Sequence, residues 1–191
     1  ANYQLNEKVS LYGDLQVRNV TYKTFGNTSD LVDFEVDEAF TFFNPKAGAS
    51  YKINTKNQLY ASYGRANREP RRADYENGVT TAETLDDFEL GWRHTATKNS
   101  FSANAYFMNY RNQLVLTGAL DDVGQPIRAT SGKSYRLGLE VEANLQLAPF
   151  LEMLLTAVVL ETGPTMKKPI MSSMCPTGVI SWGSLPFKPI P

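Results

Sequence analysis

The stretch SYRLGLEVEANLQL, residues 134–147, decides the fold. Tyr135, Leu137, Leu139, Val141, Ala143, Leu145 and Leu147 are apolar. Ser134, Arg136, Gly138, Glu140, Glu142, Asn144 and Gln146 are polar or glycine. The alternation never slips. Successive side chains of a β-strand point to opposite faces, so this is a strand with one apolar and one wet face. It exceeds the ~5–6 residues usual in soluble domains and the ~9–11 that a tilted strand needs to cross a bilayer. A long strand of a soluble sandwich or lipocalin-like barrel reads the same way, so the neighbouring segments must decide.

Upstream, Val9, Leu11, Gly13, Leu15 and Val17 alternate with Ser10, Tyr12, Asp14, Gln16 and Arg18. The alternation breaks at Asn19, and Val20 and Tyr22 continue it on the opposite parity, which predicts a bulge. Residues 26–38 read as a long polar loop. Phe43, Pro45, Ala47, Ala49, Tyr51 and Ile53 share one face of a strand over 41–54. Pro45 cannot donate to a ladder and is expected near the end of that strand or at an irregularity. A tight turn at 54–57 leads to Leu59, Ala61 and Tyr63, then to a loop over 65–81. Phe88, Leu90 and Trp92 mark a strand over 85–94, and a tight turn at 96–99 leads to Phe101, Ala103, Ala105 and Phe107. A second long loop over 118–132 contains Asp121-Asp122-Val123-Gly124, and Ala148-Pro149 turns into a last strand from Phe150.

Short connections near residues 6, 55, 97 and 148 therefore alternate with long ones. This is an all-β antiparallel meander of long hairpins, with short turns at one rim and long loops at the other. Outer-membrane barrels have that asymmetry, and a soluble sandwich has no reason to segregate its loops. Tyr51, Trp92, Phe101 and Phe150 fall near short turns and would form an interfacial aromatic band. The expectation is a partial transmembrane β-barrel, an open sheet whose residues 135, 137, 139, 141, 143 and 145 face lipid from the convex side.

Composition agrees. The formal net charge of -1, from 19 basic and 20 acidic residues, does not suggest a nucleic-acid partner. No run approaches the ~18 apolar residues of a membrane helix, and a mean hydropathy of -0.34 is compatible with a barrel whose interior is wet. The lone Cys175 allows no internal disulfide. The chain opens on Ala1-Asn2-Tyr3 without a signal peptide, which reads as a fragment of a longer protein.

Several phrases match a known family. Phe43-Asn44-Pro45-Lys46-Ala47-Gly48-Ala49-Ser50-Tyr51 resembles the F-x-P-K-x-G-x-x-Y strand of TonB-dependent outer-membrane receptors. Asn67-Arg68-Glu69-Pro70, followed by Asp74-Tyr75, resembles their R-x-P loop entry. Glu83-Thr84-Leu85-Asp86-Asp87-Phe88-Glu89-Leu90-Gly91 resembles their P-E-x-x-x-x-x-E-x-G strand, with Ala82 where proline is usual. Asn104-Ala105-Tyr106-Phe107-Met108-Asn109-Tyr110 and Gly138-Leu139-Glu140-Val141-Glu142 resemble two later strands in the expected order. The resemblance covers roughly residues 5–153. It implies a gated receptor of a Gram-negative outer membrane that takes up a scarce nutrient, an iron–siderophore complex first. A plug domain upstream would couple it to an inner-membrane energy-coupling protein. The alternatives are a cobalamin or oligosaccharide receptor, another outer-membrane barrel such as a porin or adhesin, and a soluble all-β binding domain.

The pattern collapses after Met153, where Leu154, Leu155, Ala157, Val158, Val159 and Leu160 are apolar on both faces. The barrel part is therefore placed at 1–160 and an irregular, disordered proline-rich tail at 161–191, with Pro164, Pro169, Pro176, Pro186, Pro189 and Pro191. The tail reads as out of frame. Back-translated over 164–191 and read from the third base, one legal codon choice gives a tyrosine-rich strand of the kind such barrels carry.

No catalytic constellation emerges, so neither an enzyme, a cofactor nor a metal centre is expected. His94 has no triad or ligand set around it and reads as surface near a short turn. Glu140 and Glu142 share a face and would ion-pair with Arg136 or a neighbouring arginine. Asp121, Asp122 and Gly124 lack the spacing of a calcium loop. The best site candidate is Arg65, Arg68, Arg71 and Arg72, at the top of a strand where an anionic chelate would arrive. Binding of lipopolysaccharide phosphates, pairing with Glu69, Asp74 and Glu76, or contact with a plug are the competing roles.

Overall fold

The computed structural model describes residues 1–27, 32–120, 124–148, 150–164 and 179–182. Nearly all of them belong to one antiparallel sheet in the order β1 (Asn2–Gln4), β2 (Val9–Asn27), β3 (Asp33–Lys52), β4 (Asn57–Arg68), β5 (Glu83–Thr95), β6 (Asn99–Arg111), β9 (Lys133–Ala148), β10 (Leu151–Pro164), β11 (Val179–Trp182). A short helix α1 (Arg72–Glu76) lies between β4 and β5, and a separate hairpin of β7 (Leu114–Leu120) and β8 (Pro126–Thr130) lies between β6 and β9. Among the described residues the sheet does not close. The expected meander stands, with short turns between β1 and β2, β3 and β4, β5 and β6, and β9 and β10.

The register measures the strand tilt. Val9, Tyr51, Leu59, Trp92, Ala103, Val141 and Ala157 form one hydrogen-bonded row across seven strands. Val9 is the first residue of β2, and the row then stands one, two, three and four residues from the turn-side ends of β3, β4, β5 and β6. A slip of one residue, ~3.3 Å, per ~4.8 Å step between strands corresponds to a tilt of about 35°. Membrane barrels have tilts of roughly 35–45°.

Directly opposed residues share a face, so the rows also define the faces. Leu11, Ala49, Ala61, Leu90, Ala105, Leu139 and Val159 form the next row, and Tyr63, Phe88, Phe107 and Leu137 the one after. Among the described residues this face has no core against it: Leu90 is 61% exposed and Val159 66%. A soluble barrel would pack these side chains inward, whereas lipid is the solvent that suits them. Two aromatic lines bound the face. Near the turns, His94 lies 6.2 Å from Trp92 and 6.0 Å from Phe101, and Tyr51 shares Trp92's row. Farther up, Tyr63, Phe88, Phe107 and Tyr135 run ring to ring across four strands, with centroids 4.9, 6.4 and 6.3 Å apart. On β5 the two lines are about 13–20 Å apart along the strand, from Phe88 to Trp92 and to His94, or ~11–16 Å along the axis at that tilt, which fits inside the ~25 Å apolar band of a barrel. His94 is thus half-buried in the lower line, with Nδ1 3.0 Å from Asn57 Oδ1, and not plain surface.

Several expectations are corrected. The β2–β3 ladder runs from Val9↔Tyr51 to Asn27↔Asp33 without a register shift, so there is no bulge at Asn19. The parity of the apolar residues changes there because the environment changes. Below Asn19 the odd residues face lipid. Above it the even residues Val20, Tyr22, Phe34 and Phe40 are partly covered while their odd neighbours are exposed, because the hairpin leans on the loops. The expected loop over 26–38 is accordingly mostly strand, and the loop over 118–132 contains most of the β7–β8 hairpin. Pro45 lies inside β3, opposite Leu15, one residue past Lys46, where the β3–β4 ladder stops. Its missing donor thus falls where β3 no longer has β4 beside it. The expected boundary at 160 falls within β10, which continues to Pro164, and β11 pairs with β10 from Leu155↔Trp182 to Val158↔Val179. Asp121, Asp122, Val123 and the remainder of the tail, including Cys175, lie outside the described residues.

Candidate functional site at the loop-bearing rim

Above the upper aromatic line, β3 and β4 diverge and polar side chains fill the wedge. Asn44 Nδ2 donates to Gln16 Oε1 (3.3 Å), Asn67 Nδ2 to Asn44 Oδ1 (2.7 Å) and Thr84 Oγ1 to Asn67 Oδ1 (2.8 Å). Arg18 caps the wedge. Its guanidinium bridges Glu69 and the Asn67 carbonyl, and stands 5.0 Å over the ring of buried Phe42. Burial works against the charge on Glu69. The hydrogen bond from Arg18, a backbone hydrogen bond and the charges of Arg18 and Arg68 outweigh it, and its pKa is lowered.

The β4–β5 loop folds onto this platform. Pro70 precedes α1, and the Arg71 N–H donates to Asp74 Oδ2 (2.9 Å), which starts the helix. Gly78, at φ +78°, ends it with bonds from Gly78 N to Tyr75 O and from Val79 N to Asp74 O. Tyr75 and Val79 are buried, and the Tyr75 ring stacks on Tyr22 at 5.4 Å, nearly parallel. Asp74 is 2% exposed and forms an ion pair with Arg128 of β8 at 3.6 Å. Glu83 accepts from Arg68 (3.3 Å) and from the Leu114 N–H (2.8 Å), joining β4, β5 and β7.

The four arginines do not form one cluster. Arg65 and Arg68 are three residues apart on β4, hence on opposite faces. Arg65 lies on the apolar-face parity, where Asp86 accepts from Arg65 (2.7 Å), Arg111 (2.7 Å) and Tyr63 Oη (2.8 Å). Arg68, on the wet parity, pairs with Glu83. Arg72 pairs with Glu76 at 2.8 Å and stands 5.6 Å over Phe34, and Arg71 is exposed at the start of α1. Arg68, Arg71 and Arg72 thus border the loop entrance, whereas Arg65 closes the lipid-facing band. Glu69 and Asp74 take Arg18 and Arg128 as ion-pair partners, not residues of the predicted set. No local spacing signals such contacts between separate strands.

On the wet face, tyrosines lie over cross-strand glycines: Tyr60 over Gly91 and Tyr106 over Gly138. Glu89 and Glu140 stand around these rings, and Asp87 Oδ1 and Asn104 Oδ1 are buried without a hydrogen-bond partner among the described residues. Arg136 lies 5.1 Å over Tyr110 instead of pairing with Glu140 or Glu142. Glu140 is four residues further along the strand, ~13 Å away, which is too far for an ion pair. Among the described residues, no group of three or more His, Cys, Asp or Glu side chains could hold a metal ion, and no helix is long and apolar enough to cross a membrane.

An apolar outer face with two aromatic lines, a wet inner face and a folded loop rim define part of the wall of a transmembrane β-barrel. The family described as TonB dependent receptor-like, beta-barrel matches residues 1–165, and the chain belongs to it. No curated protein sequence matches significantly. Solved structures with the same fold include the alcaligin outer-membrane receptor FauA from Bordetella pertussis, at 18% identity and a TM-score of 0.63 over 90% of this chain and 30% of that one. The copper transporter OprC has 15% identity and a TM-score of 0.73 over 86% of this chain and 27% of that one. The siderophore receptor PirA from Pseudomonas aeruginosa has 16% identity and a TM-score of 0.64 over 85% and 30%. The chain thus spans less than a third of each of these relatives.

Proposed function

We propose that the protein containing this chain is a receptor for active uptake of a scarce nutrient across a Gram-negative outer membrane, and that its ligand is an anionic iron–siderophore complex. The observation that carries this reading is the pairing of a lipid-suited barrel wall with a folded loop rim whose entrance presents Arg68, Arg71 and Arg72. Arginine forks suit carboxylate and catecholate oxygens. Arg65 lies on the other face and has no part in capture. The siderophore receptors among the similar structures support this choice of ligand, and the copper transporter makes copper the second candidate.

The wet face supports a second part of the reading. The acids Asp87, Glu89 and Glu140, with the orphan oxygens of Asp87 and Asn104, suit a lumen-filling plug domain that brings basic groups. Through that plug an inner-membrane energy-coupling protein would drive release. The reading assigns the chain no enzymatic role and no resident cofactor. The experiment is uptake of radiolabelled ferric siderophores by cells with and without the intact gene, with and without the inner-membrane energy source. Energy-dependent uptake that needs the gene is expected. Energy-independent passage of small solutes of every kind would establish a porin instead, and gene- and energy-dependent accumulation of copper alone would select copper.

A further inference from the structure

The short turns repeat one device. Lys8, Lys56 and Lys98 occupy equivalent positions in three successive turns. Each backbone carbonyl accepts from the strand that pairs with the one the lysine leads into: Lys52 N of β3 to Lys8 O, Thr95 N of β5 to Lys56 O and Gln146 N of β9 to Lys98 O, all at 2.8 Å. In the first two turns an asparagine fixes the bend, with Asn6 Oδ1 accepting from Lys8 N and Val9 N, and Asn54 Oδ1 from Lys56 N and Asn57 N. The three lysines are therefore held at regular intervals along the rim, two strands apart, or ~10 Å. All three are exposed, and none has an ion-pair partner among the described residues.

The charge around Lys56 and Lys98 is one-sided, whereas Glu7 adjoins Lys8. Residues 52–58 and 93–99 contain Lys52, Lys56, Arg93 and Lys98 and no carboxylate. The opposite rim mixes its arginines with Glu69, Asp74, Glu76 and Glu83. The lower aromatic line of Tyr51, Trp92, His94 and Phe101 sits directly above the turns and sets the level of the interface. A lysine one turn below an interfacial aromatic line has its ammonium at the depth of lipid phosphates.

We propose that this rim is an anchor for anionic phospholipids, whose phosphates Lys8, Lys56 and Lys98 bind in the leaflet facing the short turns. The proposal rests on the membrane-barrel reading but not on the nutrient. Headgroup phosphates are recognised by ammonium groups at regular spacing, and each lysine near a charged surface adds about fivefold to the affinity. The contact would hold the barrel at fixed depth while force is applied from the short-turn side.

The test uses the full-length protein containing this chain, in detergent, titrated with phosphatidylglycerol or phosphatidylcholine and read by native mass spectrometry. The wild type is expected to retain phosphatidylglycerol at least tenfold better than phosphatidylcholine at low salt. The K8Q/K56Q/K98Q variant is expected to lose that preference while keeping its melting temperature in zwitterionic lipid. A wild type without preference, or a variant that keeps it, would overturn the proposal. Ferric siderophore uptake reports separately on the receptor reading, so the two can fail independently.

Discussion

The tyrosine–glycine pairs on the wet face give a sharp test of the register and the faces together. A Cβ added to Gly138 would lie 2.6 Å from Tyr106 Cε1 and closer still to its Cζ and Oη. Real Cβ atoms do not approach that closely, so the ring must leave its seat. Forced repacking of this kind costs typically 1–3 kcal/mol, of which an off-rotamer side chain accounts for about 0.5–1.5 kcal/mol. In the Tyr106→Ala background the obstacle is gone and Gly138→Ala should cost under about 0.5 kcal/mol, or stabilise slightly through its lower strand-interior entropy cost. The coupling expected from the double-mutant cycle is therefore about 1–2.5 kcal/mol. The assay is reversible denaturant unfolding of the full-length protein refolded into short-chain lipid vesicles. Equal costs of Gly138→Ala in both backgrounds would refute the ring-over-glycine packing, and with it the assignment of even residues of β9 to the inner face. Tyr60 and Gly91, where the ring covers the glycine in the same manner, should behave alike.

Asp86 joins Arg65, Arg111 and Tyr63, so Asp86→Ala leaves two arginines without their anion. Because their side chains are 34% and 46% exposed, the loss should be about 1–2 kcal/mol, less than for a fully buried pair, in the same unfolding assay. Glu69 predicts a pH dependence. Its folded pKa is lowered, so the stability it lends the β2–β3 hairpin is fully present above the usual glutamate value of about 4.3 and is lost as pH falls through the lower folded value. Hydrogen exchange around Arg18 and Asn67 should quicken only under acid conditions, and Glu69→Gln should abolish that acid step. For ligand capture, R68A/R71A/R72A should weaken chelate binding tenfold or more if one charge-assisted hydrogen bond of about 1.5–3 kcal/mol is lost. Loss of general attraction would instead slow association and vanish at high salt, and unchanged affinity at both salts would remove these arginines from the site.

What the sequence makes legible follows from which interactions are local. The alternation over 134–147 is a local signal, and β9 spans Lys133–Ala148. The four short turns are equally local and hold their places. The same rule misreads Val20 and Tyr22, because parity reports only which side is covered. Lipid covers the odd side below Asn19, and Tyr75 and the loops cover the even side above it. A change of solvent along a straight strand has the same sequence signature as a bulge, and only the unbroken β2–β3 register separates them. The arginine cluster fails for a related reason. Arg65 and Arg68 look adjacent in the sequence, but a period of two puts them on opposite faces, a deduction that needs nothing beyond their spacing. Their partners carry no such local signal. Asp86 and Glu83 are reached across a ladder, Arg18 meets Glu69 from two strands away, and Arg128 comes from a hairpin whose sequence reads as loop. In a barrel wall the site is therefore assembled sideways, between strands distant in sequence. The faces can be read along the chain, but charge pairing at the rim needs the register.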